Sequence, residues 1–212
     1  MRPAKTRGTA MGRPRCLMLD VDGVLINGQP GTGASWVATL ATDTGISPDA
    51  LQRLFFRPHW DRIVTGRADL RAVLAEVLPH LSTSVTVDDF LRYWFDRDAG
   101  LDARVLAQVD QLRAAGMTVI LATNQEHLRA ADIMTRIGLE THVDGMIHSA
   151  ALGVRKPDAA FFAQAQARSG FAAHDLLLID DTRANVTAAR AAGWRARLWR
   201  PGEDLVDLVN RT

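Results

Sequence analysis

Acidic side chains follow two of the most hydrophobic runs in the chain. The run CLMLDVDG ends in Asp20 and Asp22, with Gly23 next, and the run DLLLIDD ends in Asp180 and Asp181. A buried strand gains nothing from such groups, because a buried charge is costly unless it is paired. Carboxylates in these positions are suited to binding a hard cation, to acid–base catalysis or to nucleophilic attack.

Two further hydrophobic runs are followed by polar groups. Thr123 and Asn124 end the run MTVILATN, and Lys156 lies in the segment GVRKP that follows the run GMIHS. The chain has 25 lysines and arginines, of which only Lys5 and Lys156 are lysines. A sequence that otherwise uses arginine for positive charge keeps a lysine where a compact ammonium is required. We therefore interpret Lys156 as a site residue rather than a surface residue.

The elements that must position these residues follow from hydrophobic periodicity. Four apolar runs are predicted to form buried parallel strands and a fifth run is weaker: 16–20, 117–123, 145–149, 175–180 and 195–199. Segments with helical periodicity lie between them and end at a glycine, as at Gly116 and Gly193. Alternating strands and helices predict an α/β fold with a doubly wound parallel sheet. Ligands bind such sheets beyond the carboxyl ends of the strands, where all these polar groups are expected to meet.

Three or four carboxylates that converge at one sheet edge would repel one another without a cation among them. Oxygen ligands with no histidine or cysteine partner indicate Mg²⁺. A lysine beside them indicates that an anion such as phosphate is held against the metal. A calcium loop is a weaker interpretation of Asp20-Val21-Asp22-Gly23, because a strand precedes it and the apolar run Val24-Leu25-Ile26 follows it.

Residues 29–100 contain no convincing strand and predict a helical insertion. Ser47 and Pro48 resemble a helix N-cap followed by proline at the first helical position. The segments 68–78 and 87–95 are amphipathic. A break is expected around residues 57–62, where Arg57, His59, Trp60 and Arg62 are candidates to face the site or, more simply, surface and packing residues. The predicted domains are a basic disordered tail (1–14), a core (15–28 and 101–212) and a helical cap (29–100).

Composition narrows the classes of function. A chain of 212 residues with 47% hydrophobic and 23% charged residues is typical of a soluble globular protein, and no apolar run approaches the roughly 18 residues that span a membrane. The first fifteen residues carry five basic side chains and no acid, which leaves 20 basic and 24 acidic groups elsewhere. That balance argues against nucleic-acid binding. The single cysteine, Cys16, fits a reducing cytoplasm. The oligomeric state stays open, with a homodimer as one alternative.

Four segments in order resemble the signature motifs of the haloacid dehalogenase (HAD) superfamily: DVDGVL, ILATN, RKPD and LLLIDD. The resemblance covers essentially the whole chain from residue 15. The insertion after the first motif resembles the four-helix cap of the small-cap subfamily. Within it, WDRIVTGRADLRAVLAEV is similar to sugar-phosphate phosphatases of the α-glucose-1-phosphate phosphatase type and to the N-terminal phosphatase domain of soluble epoxide hydrolase. The resemblance thus implies a Rossmann-like HAD core.

This resemblance implies a role for each motif residue. Asp20 is expected to be the nucleophile that forms an aspartyl-phosphate, and Asp22 the general acid and then the base, with a pKa raised by the crowded carboxylates. Mg²⁺ would be held by Asp20, the backbone carbonyl of Asp22, and Asp181. The other expected site residues support the metal or bind phosphoryl oxygens: Asp180 and Asn185 behind the metal, and Gly23, Thr123, Asn124 and Lys156 around the phosphate.

The predicted function is therefore Mg²⁺-dependent hydrolysis of a small phosphomonoester, such as a sugar phosphate. A phosphomutase would use the same residues and remains an alternative. A true haloacid dehalogenase would lack the acid at position 22 and would have serines in place of Asp180 and Asp181. A HAD fold retained only for binding would usually have lost the nucleophile, the lysine or a metal acid, and none of these is missing.

Overall fold

The computed structural model describes residues 13–211. Five strands form one sheet: β1 (Cys16–Leu19), β2 (Thr118–Thr123), β3 (Gly145–His148), β4 (Leu176–Asp180) and β5 (Arg195–Leu198). Their order is β3-β2-β1-β4-β5, and every neighbouring pair is parallel. The chain winds from β1 through β2 to β3 and then crosses to the other side of β1. This arrangement confirms the predicted doubly wound α/β fold.

Helices in the described residues fall into two groups along the chain. Between β1 and β2 lie α1 (Leu40–Thr44), α2 (Pro48–Leu51), α3 (Arg57–Val64), α4 (Leu70–Val77), α5 (Val87–Arg97) and α6 (Ala103–Ala114). After β2 lie α7 (His127–Thr135), α8 (Ser149–Leu152), α9 (Ala159–Ser169), α10 (Arg183–Ala191) and α11 (Leu205–Asn210). Of all these, α1 to α5 belong to the predicted cap.

Both faces of the sheet are buried, as β1 shows. Leu17 and Leu19 belong to a hydrophobic cluster that includes residues of α6, α7 and α11. Cys16 and Met18 point the other way, into a cluster with residues of α9 and α10. Successive side chains of a strand alternate between the two faces, so a strand covered on both sides consists entirely of apolar residues. Asp20 is the first residue after this run, and it is itself buried.

The segment between β1 and α6 folds on a hydrophobic cluster of its own, centred on residues such as Phe55, Leu74 and Phe90. It consists of four helical stretches: a 3₁₀ turn (Trp36–Thr39) continuous with α1, the run from α2 to α3, then α4, and then α5. We call this segment, residues 36–97, the cap. Side-chain N-caps begin three of the stretches, with Ser47 accepting a hydrogen bond from the Ala50 amide as the sequence predicted.

The expected break at residues 57–62 is wrong. Those residues form α3, which continues from α2 through a π-helical turn over Gln52–Phe56. Pro58 has no backbone N–H and would interrupt a regular α-helix. Because the π turn changes the hydrogen-bond pattern just before it, with the Arg57 amide donating to the Gln52 carbonyl, the chain passes the proline without stopping.

Two linkers join the cap to the core and run side by side. The Asn27 amide donates to the Gly100 carbonyl at 2.8 Å, and the Gly100 amide donates to the Gly28 carbonyl at 2.8 Å. A Cβ on Gly100 would lie 2.7 Å from the Gly28 carbonyl oxygen, so only glycine allows the linkers to pass this closely. The predicted domain boundaries at residues 28 and 100 coincide with this crossing and stay a prediction.

No helix in the described part of the chain is long and apolar enough to cross a membrane. Residues 1–12, which make up most of the predicted basic tail, and residue 212 lie outside the described residues.

Candidate active site

Asp20 leads into a tight loop beyond the end of β1. The Val21 carbonyl accepts the backbone N–H groups of Val24, Leu25 and Ile26 at 2.8–3.2 Å, which folds the chain back over itself. The Asp20 carboxylate receives two donors at Oδ1: the Val21 amide at 2.8 Å and the Lys156 ammonium at 3.0 Å. Its Oδ2 has no donor within residues 13–211. Asp20 is therefore oriented through one oxygen and presents the other.

Lys156 is buried, with 1% of its side chain exposed, and it donates to three acceptors. Its Nζ lies 3.0 Å from Asp20 Oδ1, 2.6 Å from Asp180 Oδ2 and 2.7 Å from the Ala122 carbonyl oxygen. Burial opposes the charge, but the carboxylates of Asp20 and Asp180 outweigh it and raise the pKa of Lys156. An ammonium has three protons, so these partners use all of them and hold a permanent positive charge beside Asp20.

The loop that carries Lys156 is attached to the end of β2 through Asn124. The Asn124 carboxamide donates to the Lys156 carbonyl at 3.0 Å and accepts from the Lys156 amide at 2.8 Å. Thr123, predicted to bind phosphate, is the last residue of β2 and is buried beside this contact. The backbone amides of Asp22 and Asn124 donate no hydrogen bond to any described residue. They are therefore free to receive an anion next to Asp20.

Asp180 is fully buried and satisfied by protein donors. Asn185 donates to both of its carboxylate oxygens at 3.0 Å, and the Thr182 amide donates to Oδ1 at 2.8 Å. With Lys156 on Oδ2, each oxygen receives two donors. Asp180 and Asn185 therefore lie behind Lys156, and their predicted supporting role stays a prediction.

Asp20, Asp180 and Asp181 each present a carboxylate oxygen within 4.8 Å of the others. One ammonium offsets only part of the charge of three carboxylates, so the cluster favours a cation. The ligands are all oxygens, without histidine or cysteine, which suits Mg²⁺. Asp181 is the exposed member, and its Oδ2 packs over Gly23, where a Cβ would lie at 2.2 Å. The residues present therefore fit a magnesium ion at this position, and the contribution of the Asp22 carbonyl stays a prediction.

Burial raises the pKa of Asp20 to about 7, and the neighbouring carboxylates of Asp180 and Asp22 add to the increase that Lys156 partly offsets. The same cause raises the pKa of Asp181. A bound cation would favour the ionised forms of both groups.

The Asp22 carboxylate is not part of this cluster of three. Its Oδ2 accepts a hydrogen bond from Gln125 Nε2 at 2.6 Å. Its pKa is raised to about 6, mainly because surrounding protein atoms displace water, and next because the Asp98 carboxylate lies near. The predicted increase is therefore present, but burial is its main cause, and the carboxylate that adds to it is Asp98 of the linker after α5.

Three residues around Asp22 were not predicted. Gln125 is buried and follows Asn124 directly, so its position beyond β2 was an available signal. Arg129 is a buried residue of α7 that donates to the backbone carbonyls of Phe95 and Asp98 and pairs with Asp132 at 2.8 Å. No periodicity in the sequence distinguishes Arg129 or Asp98 from surface residues. Together they bring the end of the cap next to Asp22.

The fold and this site define a class of hydrolases. Residues 14–193 match the haloacid dehalogenase-like hydrolase family, and the chain belongs to it. The predicted superfamily is confirmed, and the chain is an enzyme of that class. The finer resemblance to glucose-1-phosphate phosphatases stays a prediction.

Individual relatives agree with this assignment. A phosphoglycolate phosphatase of Xanthomonas campestris pv. campestris (strain 8004) is 28% identical over 201 residues, which cover 90% of this chain and 87% of that protein. A solved HAD family enzyme from Bacteroides thetaiotaomicron, in complex with magnesium and inorganic phosphate, has a TM-score of 0.77 at 16% identity and covers 92% of this chain and 98% of its own. A HAD-like hydrolase structure from Porphyromonas gingivalis has a TM-score of 0.75 at 20% identity, with 94% and 98% covered.

Proposed function

We propose that this protein is a Mg²⁺-dependent phosphatase that hydrolyses a small phosphomonoester through an aspartyl-phosphate on Asp20. The observation that carries the proposal is the pairing of Asp20 with Lys156 at 3.0 Å inside a cluster of carboxylates suited to magnesium. Phosphoryl transfer is catalysed mainly by positioning and charge neutralisation, which this arrangement supplies. The phosphoglycolate phosphatase relatives and the magnesium–phosphate complex of a structural neighbour support it.

In the first step, an Asp20 oxygen attacks phosphorus while the bond from phosphorus to the ester oxygen breaks. Asp22 transfers its proton to the leaving oxygen, and its raised pKa favours the protonated form that this transfer requires. The free amides of Asp22 and Asn124 donate to the phosphoryl oxygens. Lys156 holds Asp20 in place and offsets the charge of the incoming phosphate.

In the second step, water attacks phosphorus and the bond from the Asp20 oxygen to phosphorus breaks. The Asp22 carboxylate, now ionised, accepts the proton from that water, and inorganic phosphate and the Asp20 carboxylate are released. Gln125 keeps the Asp22 carboxylate oriented in both steps through its 2.6 Å hydrogen bond. Magnesium, held by Asp20, Asp181 and the Asp22 carbonyl, would neutralise charge on the transferring phosphoryl group.

The leaving alcohol is proposed to be small, because the curated relatives are phosphoglycolate phosphatases. The curated relatives make 2-phosphoglycolate the first substrate to test, followed by sugar phosphates. A small-molecule partner in the cytoplasm, without nucleic acid, is consistent with this proposal.

The test is hydrolysis of para-nitrophenyl phosphate by the wild type with Mg²⁺, by the wild type with EDTA, and by Asp20→Asn with Mg²⁺. Turnover only in the first case supports the proposal. Turnover that survives EDTA or the loss of the Asp20 carboxylate contradicts it. Release of halide from a 2-haloacid, or intramolecular phosphate transfer in a sugar phosphate, would instead identify the dehalogenase or the phosphomutase.

A further inference from the structure

A cavity of about 390 Å³ lies where the cap meets the core, beside the loop that carries Lys156. The cap contributes Asp61, Thr65 and Arg67 to its lining, and the core contributes Arg155, Lys156 and Asp158. Of the residues predicted to be catalytic, to bind phosphate or to bind the metal, only Lys156 belongs to this lining, so the cavity is distinct from the carboxylate cluster and adjacent to it. Its walls come from both halves of the protein, so its shape depends on how the cap is docked.

Two arginines share a single carboxylate in this cavity. Arg155 Nε, on the core side, donates to Asp61 Oδ1 at 3.0 Å. Arg67, on the cap side, donates to Asp61 Oδ2 and, through Nε, to Thr65 Oγ1 at 2.9 Å. One negative charge therefore lies between two positive charges contributed by different halves of the protein, and the second positive charge is not compensated by Asp61.

The arginines also keep donors that the described residues do not use. Nη1 and Nη2 of Arg155 and Nη1 of Arg67 have no hydrogen-bond acceptor within residues 13–211. The two side chains are 46% and 58% exposed, so these donors face solvent at the cavity. A guanidinium presents its N–H groups in a planar fork that matches a carboxylate or a phosphate.

The other charged groups of the lining are already committed. Lys156 uses its three protons on Asp20, Asp180 and the Ala122 carbonyl. The Asp158 carboxylate accepts the Ala160 amide at the start of α9 and forms no ion pair with Arg67 or Arg155. The unused recognition capacity of the cavity therefore lies on Arg67 and Arg155.

We propose that Arg67 and Arg155 form a subsite for a second anionic group, a carboxylate or a second phosphate, on the leaving part of the substrate. In the substrate-free protein, Asp61 accepts hydrogen bonds from both arginines. When the anion binds, some of these N–H donors move from Asp61 to the anion. Because one arginine is on the cap and the other on the core, the same anion ties the cap to the core during reaction. The inference rests on the proposed phosphatase function and adds to it a preference for doubly anionic esters.

The test compares substrates that differ in one distal anion. Two pairs test a distal carboxylate: 2-phosphoglycolate against ethyl phosphate, which are short, and 6-phosphogluconate against glucose 6-phosphate, which are longer. A third pair tests a distal phosphate and compares glucose 1,6-bisphosphate with glucose 1-phosphate. Each is measured with the wild type, Arg67→Gln, Arg155→Gln and Asp61→Asn. Arg53→Gln, which removes an exposed arginine elsewhere on the cap, controls for the change in net charge.

In at least one pair, the wild type is expected to have the higher kcat/KM for the member that carries the distal anion. Each arginine variant should lower kcat/KM for that member about tenfold, mainly through KM, because a charge-assisted hydrogen bond is lost. Neither arginine variant should change kcat/KM for the member without the distal anion, and the Arg53→Gln control should change kcat/KM for neither member. Asp61→Asn should keep or increase kcat/KM for the member with the distal anion, since it removes the carboxylate that competes for the arginines.

A purely structural contact between cap and core gives a different pattern. All three variants would then lose activity to the same extent on both members of a pair, and thermal unfolding would shift with them. That result, or a wild type with no preference in any pair, overturns the subsite. Activity on para-nitrophenyl phosphate is the separate measure of the proposed function, so a subsite that fails while this activity persists leaves the phosphatase assignment intact.

Discussion

Asn124 and Lys156 exchange two hydrogen bonds, one from the Asn124 carboxamide to the Lys156 carbonyl at 3.0 Å and one from the Lys156 amide to the Asn124 carboxamide oxygen at 2.8 Å. Asn124 follows β2 and Lys156 follows α8, so 32 residues separate them along the chain. The pair fixes the main chain of the lysine, while the ammonium itself is held by Asp20 and Asp180. Asn124 thus acts on the nucleophile through Lys156.

Asn124→Ala is therefore expected to lower kcat by about tenfold or more, because the Lys156 ammonium is no longer held at its position beside the Asp20 carboxylate. Affinity for Mg²⁺ should change little, since Asn124 touches none of the clustered carboxylates. Steady-state kinetics and a Mg²⁺ titration measure the two quantities on the same preparation. Equal losses in both would mean that the variant disturbs the whole site and that the positioning role is wrong.

Lys156→Met should cost about 3–5 kcal/mol of the free energy of unfolding, because it leaves Asp20 and Asp180 buried without their cation. The double variant Lys156→Met/Asp180→Asn should recover part of that loss, since it also removes one unpaired charge. Urea denaturation in EDTA measures both. A double variant that is less stable than Lys156→Met alone would show that charge pairing is not the main contribution of the lysine.

Gly23→Ala should weaken Mg²⁺ binding by about tenfold or more, because its Cβ would lie 2.2 Å from Asp181 Oδ2 and displace that carboxylate. Gly31→Ala is the matched control. Gly31 has the same φ of +77° as Gly23, but a Cβ there meets nothing within 4 Å. Isothermal titration with Mg²⁺ should separate the two variants. If Mg²⁺ binds to both variants with the same affinity, the proposed displacement of the Asp181 carboxylate is wrong.

Much of the site follows from one rule about parallel sheets. Because strand ends meet at one edge, the residues after four apolar runs were expected together, and Asp20, Thr123, Lys156 and Asp180 do lie together. The observed strands begin and end within one residue of the predicted runs. Hydrophobic periodicity is strong here because both faces of the sheet are buried.

The surroundings of Asp22 could not be predicted in this way. Asp98 approaches it only because the linker after α5 returns to the core next to the first linker, and that approach depends on tertiary packing. Arg129 looks like one more polar residue of an amphipathic helix, yet it is buried against the linker. Likewise, the π turn before Pro58 is a local adjustment that no propensity indicates, so the continuous helix was missed.

Gln125→Met should lower kcat by about tenfold with little change in KM, because it removes the hydrogen bond that orients the Asp22 carboxylate and keeps a side chain of similar size. The measurement is steady-state hydrolysis of para-nitrophenyl phosphate. Gln108→Met, which removes a half-buried hydrogen bond to Asp204 far from the site, controls for loss of a similar hydrogen bond elsewhere. An unchanged kcat in Gln125→Met would exclude the orienting role.

The raised pKa of Asp20 predicts how stability depends on pH in the absence of metal. The ordinary pKa of an aspartate is near 3.8, whereas that of Asp20 in the folded protein is about 7. Between these values the folded protein keeps a proton that the unfolded chain has released. The Asp20 contribution to the free energy of unfolding therefore falls as pH rises from about 4 to about 7 and is constant above that range.

Asp20→Asn removes this titration, so in EDTA the variant should gain stability relative to the wild type as pH rises through that window. The lost pairing with Lys156 adds only a constant difference, because the lysine stays charged throughout. Mg²⁺ should reduce the gain, since a cation favours the ionised Asp20 that the variant lacks. Urea denaturation of both proteins at pH 4.5, 6 and 7.5, with EDTA and with Mg²⁺, measures the difference. A difference that is the same at all three pH values in EDTA would show that Asp20 does not titrate in this range.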